Sequence, residues 1–478
     1  MSRRLTVERL RGPEALADIA AEWDSLDRRT SPRTPFTSPA WVLPWWRHFS
    51  RRSMLFRDEF FCHVVRDDGG RLVAIAPLAR TFAPGVGPPV LRIVQFFGFD
   101  SALTEIRGLI CRPEDQASAV EALVEHFLAR REEWDVFRWA GLRHSPDAYR
   151  SLGAPCAFMS RGDVPDYIVD LPASFDDLRL KVSSNMRKNL RKAYEALERD
   201  GVLFALRVTE RPDGGAAAME RFLTLHAARA EAAEMIFHPD KFTQPHVRAF
   251  FADYLHRLAE RGELRIFELE IGGRVVASRL AFLLGSDLYT YFAGYDPAWK
   301  TYSVMTVLMT EMFKWAFAHG VERINLSTGH DQSKARWKPR EVRFCNAVQV
   351  SPSWRARAAL RAFRAYEALG RARFQFVLRT RGRTGQSGDG DRVPSRAAAR
   401  GVAMAVSSVS RAAPIATAGV IVGADGDDLR PGLSLAVNAC EGLVADAAGF
   451  VGGVHQWLGV ERVASALLAA IFEPLQRL

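Results

Sequence analysis

From Ser327 to Arg336 the chain reads Ser327, Thr328, Gly329, His330, Asp331, Gln332, Ser333, Lys334, Ala335, Arg336, a loop too rich in polar groups to be there for packing. His330 carries an imidazole that titrates near neutrality and accepts a proton across about 3 Å, directly or through one water. Asp331 beside it is the candidate to orient that imidazole. Lys334 and Arg336 are the right types to pair with a phosphate or carboxylate of a substrate, with a structural salt bridge as the other reading. A second group of cations lies upstream, where Arg187 with Arg191 and Lys188 with Lys192 fall four residues apart on one helix face. That face suits a phosphate, a glycan carboxylate or lipid headgroups, or it is a solvated face laced to Glu195 and Glu198.

The polar loop must be held by what precedes it. Leu288 to Ala293 is aromatic and β-prone, and Asp296-Pro297 ends it as a turn signal. Met305, Leu308, Met309, Met312, Phe313 and Ala316 then recur at helical spacing over 303–319, and Gly320 stands where a glycine ends a helix. A short strand from Arg323 to Leu326 leads into the loop, so strand, helix, strand and loop predict a site at the end of a sheet.

At these residues the chain resembles the CelD-like acetyltransferase branch of the GNAT superfamily, which is related to the FemAB peptidoglycan aminoacyltransferases. The likeness rests on Tyr289 and Tyr291, on Tyr295-Asp296-Pro297, on the long helix, on Gly320 to Gly329, and on Lys334-Ala335-Arg336-Trp337. The basic helix from Ser183 to Lys192 is a second match, and together they cover about residues 165–340. The resemblance implies transfer of an acyl group from an acyl-CoA or acetyl-CoA donor to an amine, without a metal. It implies that a backbone N–H between Tyr289 and Gly294 polarises the thioester carbonyl, and that Tyr291 protonates the departing thiolate. His226 and Glu268 are second-tier substrate-binding candidates, or satisfied structural groups. One departure concerns the start of the helix at Thr301 to Thr306, which has no glycine where many relatives hold the CoA pyrophosphate.

The expected fold is mixed α/β, with tandem GNAT-like domains, each a mostly antiparallel sheet flanked by helices, and a helical tail. The first half reads as strand Leu5–Arg9, helices Pro13–Asp27 and Pro39–Phe49, strands Glu59–Arg66, Leu72–Ala79 and Leu91–Phe97, helix Asp115–Arg131 and strand Asp135–Trp139. The second reads as strand Tyr167–Leu171, helices 174–200, 215–233 and 240–260, strands Leu264–Glu270, Val275–Leu284 and Leu288–Ala293, then the helix and strands around the loop. Expected boundaries are 1–164, 165–350, a basic amphipathic helix at 351–383, a linker at 384–396 and an Ala-rich tail at 397–478.

The 478 residues, 48% hydrophobic, suffice for two ordinary cores. Five cysteines stand singly without metal-like spacing, as reduced packing residues do, and the charged start MSRRLTVERLRG lacks the apolar run of a signal peptide. No run of about 18 apolar residues suggests a spanning helix. The net charge is +10, and residues 351–383 hold nine arginines against one glutamate. There Arg357, Arg361, Arg364 and Arg371 share a narrow sector, while Trp354, Leu360, Phe363, Tyr366 and Leu369 occupy most of the remaining circumference. That pattern suits peripheral contact with an anionic membrane or a solvated face, and no nucleic-acid motif is present. The expectation is a cytoplasmic N-acyltransferase at the inner face of the membrane, acting on a small-molecule or lipid-linked amine such as a sphingoid base or amino sugar. A tRNA-dependent aminoacyl transferase and a silent GNAT-like scaffold in polysaccharide assembly are the alternatives.

Overall fold

The structure, a computed structural model, describes residues 4–358 except 55, 90, 101–102, 144–156, 233–239 and 330, and leaves out the side chains of 157–163, 212 and 213. All described residues belong to one compact unit that takes in residues 1–361. Most of the basic segment, the linker and the tail lie outside the described residues.

The first half contains β1 (Leu5–Arg9), α1 (Glu14–Asp18), α2 (Ala20–Asp27), α3 (Pro39–Phe49), β2 (Arg57–Phe60), β3 (His63–Asp67), β4 (Leu72–Ala76), β5 (Leu78–Ala83), β6 (Leu91–Phe96), β7 (Ile110–Cys111), α4 (Gln116–Ala129), β8 (Val136–Arg143) and β9 (Ala157–Asp170). The second contains α5 (Phe175–Lys181), α6 (Ser184–Arg199), β10 (Phe204–Thr209), α7 (Pro212–Glu231), α8 (Pro245–Glu260), β11 (Leu264–Ile271), β12 (Arg274–Leu284), β13 (Asp287–Tyr295), α9 (Val304–Ala318), β14 (Arg323–Thr328), α10 (Gln332–Ala335) and β15 (Arg340–Val350).

Local chemistry sets several of these ends. The single helix expected over 174–200 is two, because Val182 and Ser183 are extended and the Ser183 side chain accepts the Met186 amide at 3.2 Å, capping α6. Strands expected over Glu59–Arg66 and Leu72–Ala79 each break in two. Pro77, which has no amide hydrogen to give a ladder, separates β4 from β5. Gly320, at φ +69°, ends α9 as expected: the Val321 amide reaches the Ala316 carbonyl at 3.0 Å, the closing bond of a Schellman turn.

The two halves repeat one plan. In each, an antiparallel meander (β1, β3, β4 and β10, β11, β12) leads to a strand, a helix and a parallel strand. The parallel pairs are β6 with β8 over Ile93–Gln95 and Val136–Arg138, and β13 with β14 over Asp287–Tyr289 and Arg323–Asn325. The halves then exchange strands. β9, which follows the first half, pairs with β14 of the second, β15 pairs with β8 of the first, and β9 and β15 pair with each other. The result is one eleven-stranded sheet, β10-β11-β12-β13-β14-β9-β15-β8-β6-β5-β2, beside a four-stranded sheet, β1-β3-β4-β7. The boundary expected between 164 and 165 therefore falls inside β9.

Two further contacts lock the halves. Trp41 of α3 packs edge-on against Phe36, Phe250 and Tyr254 at centroid distances of 4.7, 4.9 and 4.7 Å, and Phe36 reaches Tyr289 and Tyr291 of β13. Next to this cluster runs a chain of ion pairs: Asp27 to Arg33 at 2.8 Å, Arg33 to Glu263 at 3.0 Å, Glu263 to Arg261 at 3.0 Å and Arg261 to Asp24 at 2.8 Å. Asp27 and Arg33 are buried, so neither can recover water if the other is removed. Arg33→Ala is expected to lower stability in urea unfolding by about 3–5 kcal/mol, the usual cost of stranding a buried charge. A loss under 1 kcal/mol would show that the network holds nothing.

Candidate functional site

The parallel strands β13 and β14 pair over three residues and then part. On β14 the ladder with β9 is irregular between Asn325 and Thr328, Ser327 takes φ +67°, and its amide donates to the Asn325 side chain at 2.7 Å. On β13 a bulge adds one residue, since Arg279 of β12 faces Ala293 while Ala281 faces Thr290. Beyond the bulge Gly294 presses on α7, where a β-carbon would meet the His226 amide nitrogen at 2.3 Å.

Charged side chains from both halves converge where the strands part. Lys334 of α10 donates to the Ser327 hydroxyl at 3.1 Å, to the Gly329 carbonyl at 3.4 Å and to the Thr328 carbonyl. Asp166 of β9 is buried, and its Oδ2 accepts from the Asn325 amide at 2.7 Å. Glu105 comes from the first half, on the loop between β6 and β7. Tyr289 and Tyr291, two residues apart on one face of β13, clasp that loop. Tyr289 donates to the Glu105 carboxylate and Tyr291 to the Leu103 carbonyl. Asp100 shapes the loop from within, accepting the Leu103 and Thr104 amides at 2.7 and 3.0 Å and the Trp45 indole at 2.6 Å.

Burial governs the protonation of this cluster. It pushes the Glu105 carboxyl up to about 7, against the Tyr289 hydrogen bond and the Lys334 charge. It pushes Asp166 up to about 6, against Asn325 and Lys334. Lys334 is lowered, first by burial and then by Arg279, with Glu105 and Asp331 opposing. Arg279 is itself lowered to about 10 by burial and by Arg229, while Asp331 opposes. Glu105, Lys334 and Arg279 nonetheless keep partial solvent access. Groups deep among protein atoms but still open to water are what the floor of a cleft presents. A carboxylate poised near neutrality beside an ammonium can take a proton at one atom and stabilise negative charge at another.

The corresponding opening in the first half is filled. Past the β6–β8 pairing, Arg107 and Gly108 lie against Ala140 and Gly141. A β-carbon on Gly141, at φ +63°, would stand 1.9 Å from the Arg107 carbonyl oxygen, and one on Gly108 would stand 2.3 Å from that of Ala140. The loop that closes the first opening is the one that delivers Glu105 to the second.

The residues singled out from the sequence are placed variously. Lys334 is in the cluster, and Asp331 caps α10 by accepting the Ser333 amide at 2.7 Å while facing Lys334 and Arg279 electrostatically. His330 lies outside the described residues. Tyr291 is buried among Phe36, Trp41, Phe251 and Phe282, its hydroxyl proton committed to Leu103. Glu268 is buried on β11 and receives both arms of Arg221 at 2.7 Å. His226 contacts the Ala293 carbonyl through Nδ1 at 3.0 Å and stacks on Phe222. Arg187 donates to the Val182 carbonyl at 2.7 Å, Arg191 is exposed and pairs with Glu195 at 3.2 Å, and Arg336 is exposed. At the glycine-free start of α9, Ser303 is left-handed at φ +51° and Val304 turns into the core.

Glu105, Asp166 and Asn325 were missed. Asn325 and Asp166 left a trace, as polar residues inside otherwise apolar strands. Glu105 left none, because its partner Tyr289 is 184 residues away.

Raised carboxyls carry a sign for stability. The folded state holds the Glu105 proton to higher pH than the unfolded chain, so stability is fully present at acid pH and is lost as pH rises from about 4 toward about 7. Glu105→Gln is expected to raise Tm at pH 8 and to change it little at pH 4. A fall in Tm at pH 8 would contradict this arrangement.

Residues 184–338 match the acetyltransferase (GNAT) domain family. Among solved structures, FemX is similar at 12% identity, over 71% of this chain and 96% of that one, with a TM-score of 0.48. A tandem GNAT protein from the clavulanic acid biosynthesis pathway is 14% identical over 73% and 100% of the chains, with a TM-score of 0.38. L-PGS from Bacillus licheniformis is 14% identical over 66% and 92%, with a TM-score of 0.37. No curated protein matches the sequence.

Proposed function

We propose that this chain, whose residues 184–338 match the acetyltransferase (GNAT) domain family, is an N-acyltransferase that moves an acyl group from an acyl-CoA thioester to the amine of an envelope lipid or glycan precursor, such as a sphingoid base or amino sugar. The observation that carries this is the meeting of Glu105 from the first half with Lys334 from the second and Asp166 of the exchanged strand β9, where β13 and β14 part.

A neutral amine attacks the thioester carbonyl, and Glu105, poised near 7, accepts the N–H proton that the nitrogen sheds as the new C–N bond forms. Negative charge then develops on the carbonyl oxygen. The Lys334 ammonium and the backbone N–H groups released by the bulge on β13 are the groups to receive it. As the C–S bond breaks, the Glu105 carboxyl returns that proton to the thiolate, directly or through water, which restores the base. Asp166 and Asn325 hold the β14 backbone that fixes Lys334, so they act as positioning residues. No covalent intermediate is needed.

The glycine-free start of α9 favours a second reading of the donor, an aminoacyl-tRNA, because the usual close backbone approach to a pyrophosphate lacks its glycines there. Among the described residues no helix is long and apolar enough to cross a membrane, and none holds a metal-like cluster of acids, histidines and cysteines. Membrane contact in this reading is peripheral, through the arginine-rich segment at 351–383.

Mass spectrometry of lipid and glycan extracts with and without the gene identifies the acceptor as a free amine that accumulates while its acylated partner disappears. With that acceptor, purified protein is expected to turn over acyl-CoA, and uncharged against charged tRNA tests the second donor. Glu105→Gln and Lys334→Met are each expected to lower kcat/KM by about 100-fold or more. The acid limb of the pH profile, with its midpoint near 7, should vanish in Glu105→Gln. It should not move when acceptors of different amine basicity are compared. A Glu105→Gln enzyme with an unchanged rate would end this assignment.

A further inference from the structure

Five large hydrophobic side chains are strongly exposed among the described residues: Met54, Val86, Leu180, Leu203 and Trp354. Exposed apolar residues scattered one by one are ordinary, but three of these five converge on one edge of the first half. The turn at Ser53–Phe56 and the turn at Pro84–Pro89 pack backbone to backbone. The Gly85 amide donates to the Met54 carbonyl at 2.8 Å, and a β-carbon on Gly85 would stand 2.1 Å from the Ser53 carbonyl oxygen. Met54 and Val86 thus project from two joined tips, at 75% and 55% exposure. Arg355 donates to the Pro89 carbonyl, which ties its neighbour Trp354, 78% exposed, to the same edge.

The charge around these tips is one-sided. Arg52, Arg57 and Arg357 are exposed, and Arg57 lies over the Phe82 ring at 4.4 Å while donating to the Gly85 carbonyl at 3.3 Å. Two carboxylates bonded at this edge are spent: Asp58 is buried against Arg51, and Asp135 is buried against Arg92 with Arg355 at 3.7 Å. The chain also leaves the described residues from this edge, carrying with it the segment that holds nine arginines and one glutamate over 351–383.

We propose that Met54, Val86 and Trp354, ringed by Arg52, Arg57 and Arg357, form a docking face for an anionic phospholipid surface. A tryptophan, a methionine and a valine at loop tips enter the headgroup boundary while arginines beside them meet phosphates. This rests on the membrane-proximal part of the reading above and not on its chemistry. Arg52, Arg57 and Arg357 supply attraction, and the tips supply insertion and orientation.

The test is sedimentation of the full chain with vesicles of phosphatidylglycerol and phosphatidylcholine, against vesicles of phosphatidylcholine alone. Binding is expected to the anionic vesicles only. Met54→Ser/Val86→Ser/Trp354→Ser should weaken it at least tenfold at every salt concentration. Arg52→Gln/Arg57→Gln should weaken it about tenfold at low salt and hardly at high salt. Brominated lipids should quench part of the tryptophan emission, and Trp354→Phe should lose that part while still binding. These side chains are exposed and share no hydrogen bond or ion pair with Glu105 or Lys334, so turnover of a water-soluble acceptor should stay at the wild-type rate. That separates failure of the docking face from failure of the acyltransfer assignment. Failure to sediment with anionic vesicles, equal sedimentation of the tip variant, or binding of tRNA in place of vesicles would each overturn the proposal.

Discussion

The antiparallel pairing of β9 with β15 is the constraint on which the rest depends. Each of these strands leaves the half that precedes it and lies against a strand of the other, β9 against β14 and β15 against β8, so neither half has a complete sheet alone. Their ladder runs nearly the length of both strands, from Val350 against Ala157 to Arg340 against Ile168. Strand edges are thereby paired where two separate sheets would leave them open. The same exchange fixes Asp166 beside Asn325 and brings the loop of the first half over β13 of the second.

From that geometry follows a division of labour between two copies of one plan. Both halves part a parallel strand pair. The first closes the gap with its own backbone at Arg107 and Gly108, and the second leaves it to side chains. Glycines at 108 and 141 make the closure possible, because no β-carbon fits between those backbones. Closing one opening and furnishing the other are done by a single loop, which couples the integrity of the first half to the chemistry of the second.

The site is arranged at a cost to stability. Glu105 and Asp166 are placed where burial disfavours their charge, and Lys334 where burial disfavours its own. Their mutual attraction offsets only part of this. Such strain is typical of groups whose protonation must change during a reaction; burial raises Asp27 as well, but there Arg33 and Glu263 complete a paired network that holds the halves together.

Local elements were legible in the sequence: period and caps set α9 with its glycine end, the aromatic β13, the short β14 and the polar loop after it, and their order carried the resemblance that residues 184–338 bear to the acetyltransferase (GNAT) domain family. Lys334 was legible for the same reason, since it lies within ten residues of the strand that positions it. The break between α5 and α6, the division of β2 from β3 and the whole of β10 were not, because each is set by a competing cap or by pairing with a distant strand. Tertiary structure alone decided that β9 and β15 would change partners, that Arg187 would cap a preceding turn, and that Glu105 would face Lys334. Periodicity reports which face of an element is buried. It carries no information on which residue, nearly two hundred positions away, will be buried against it.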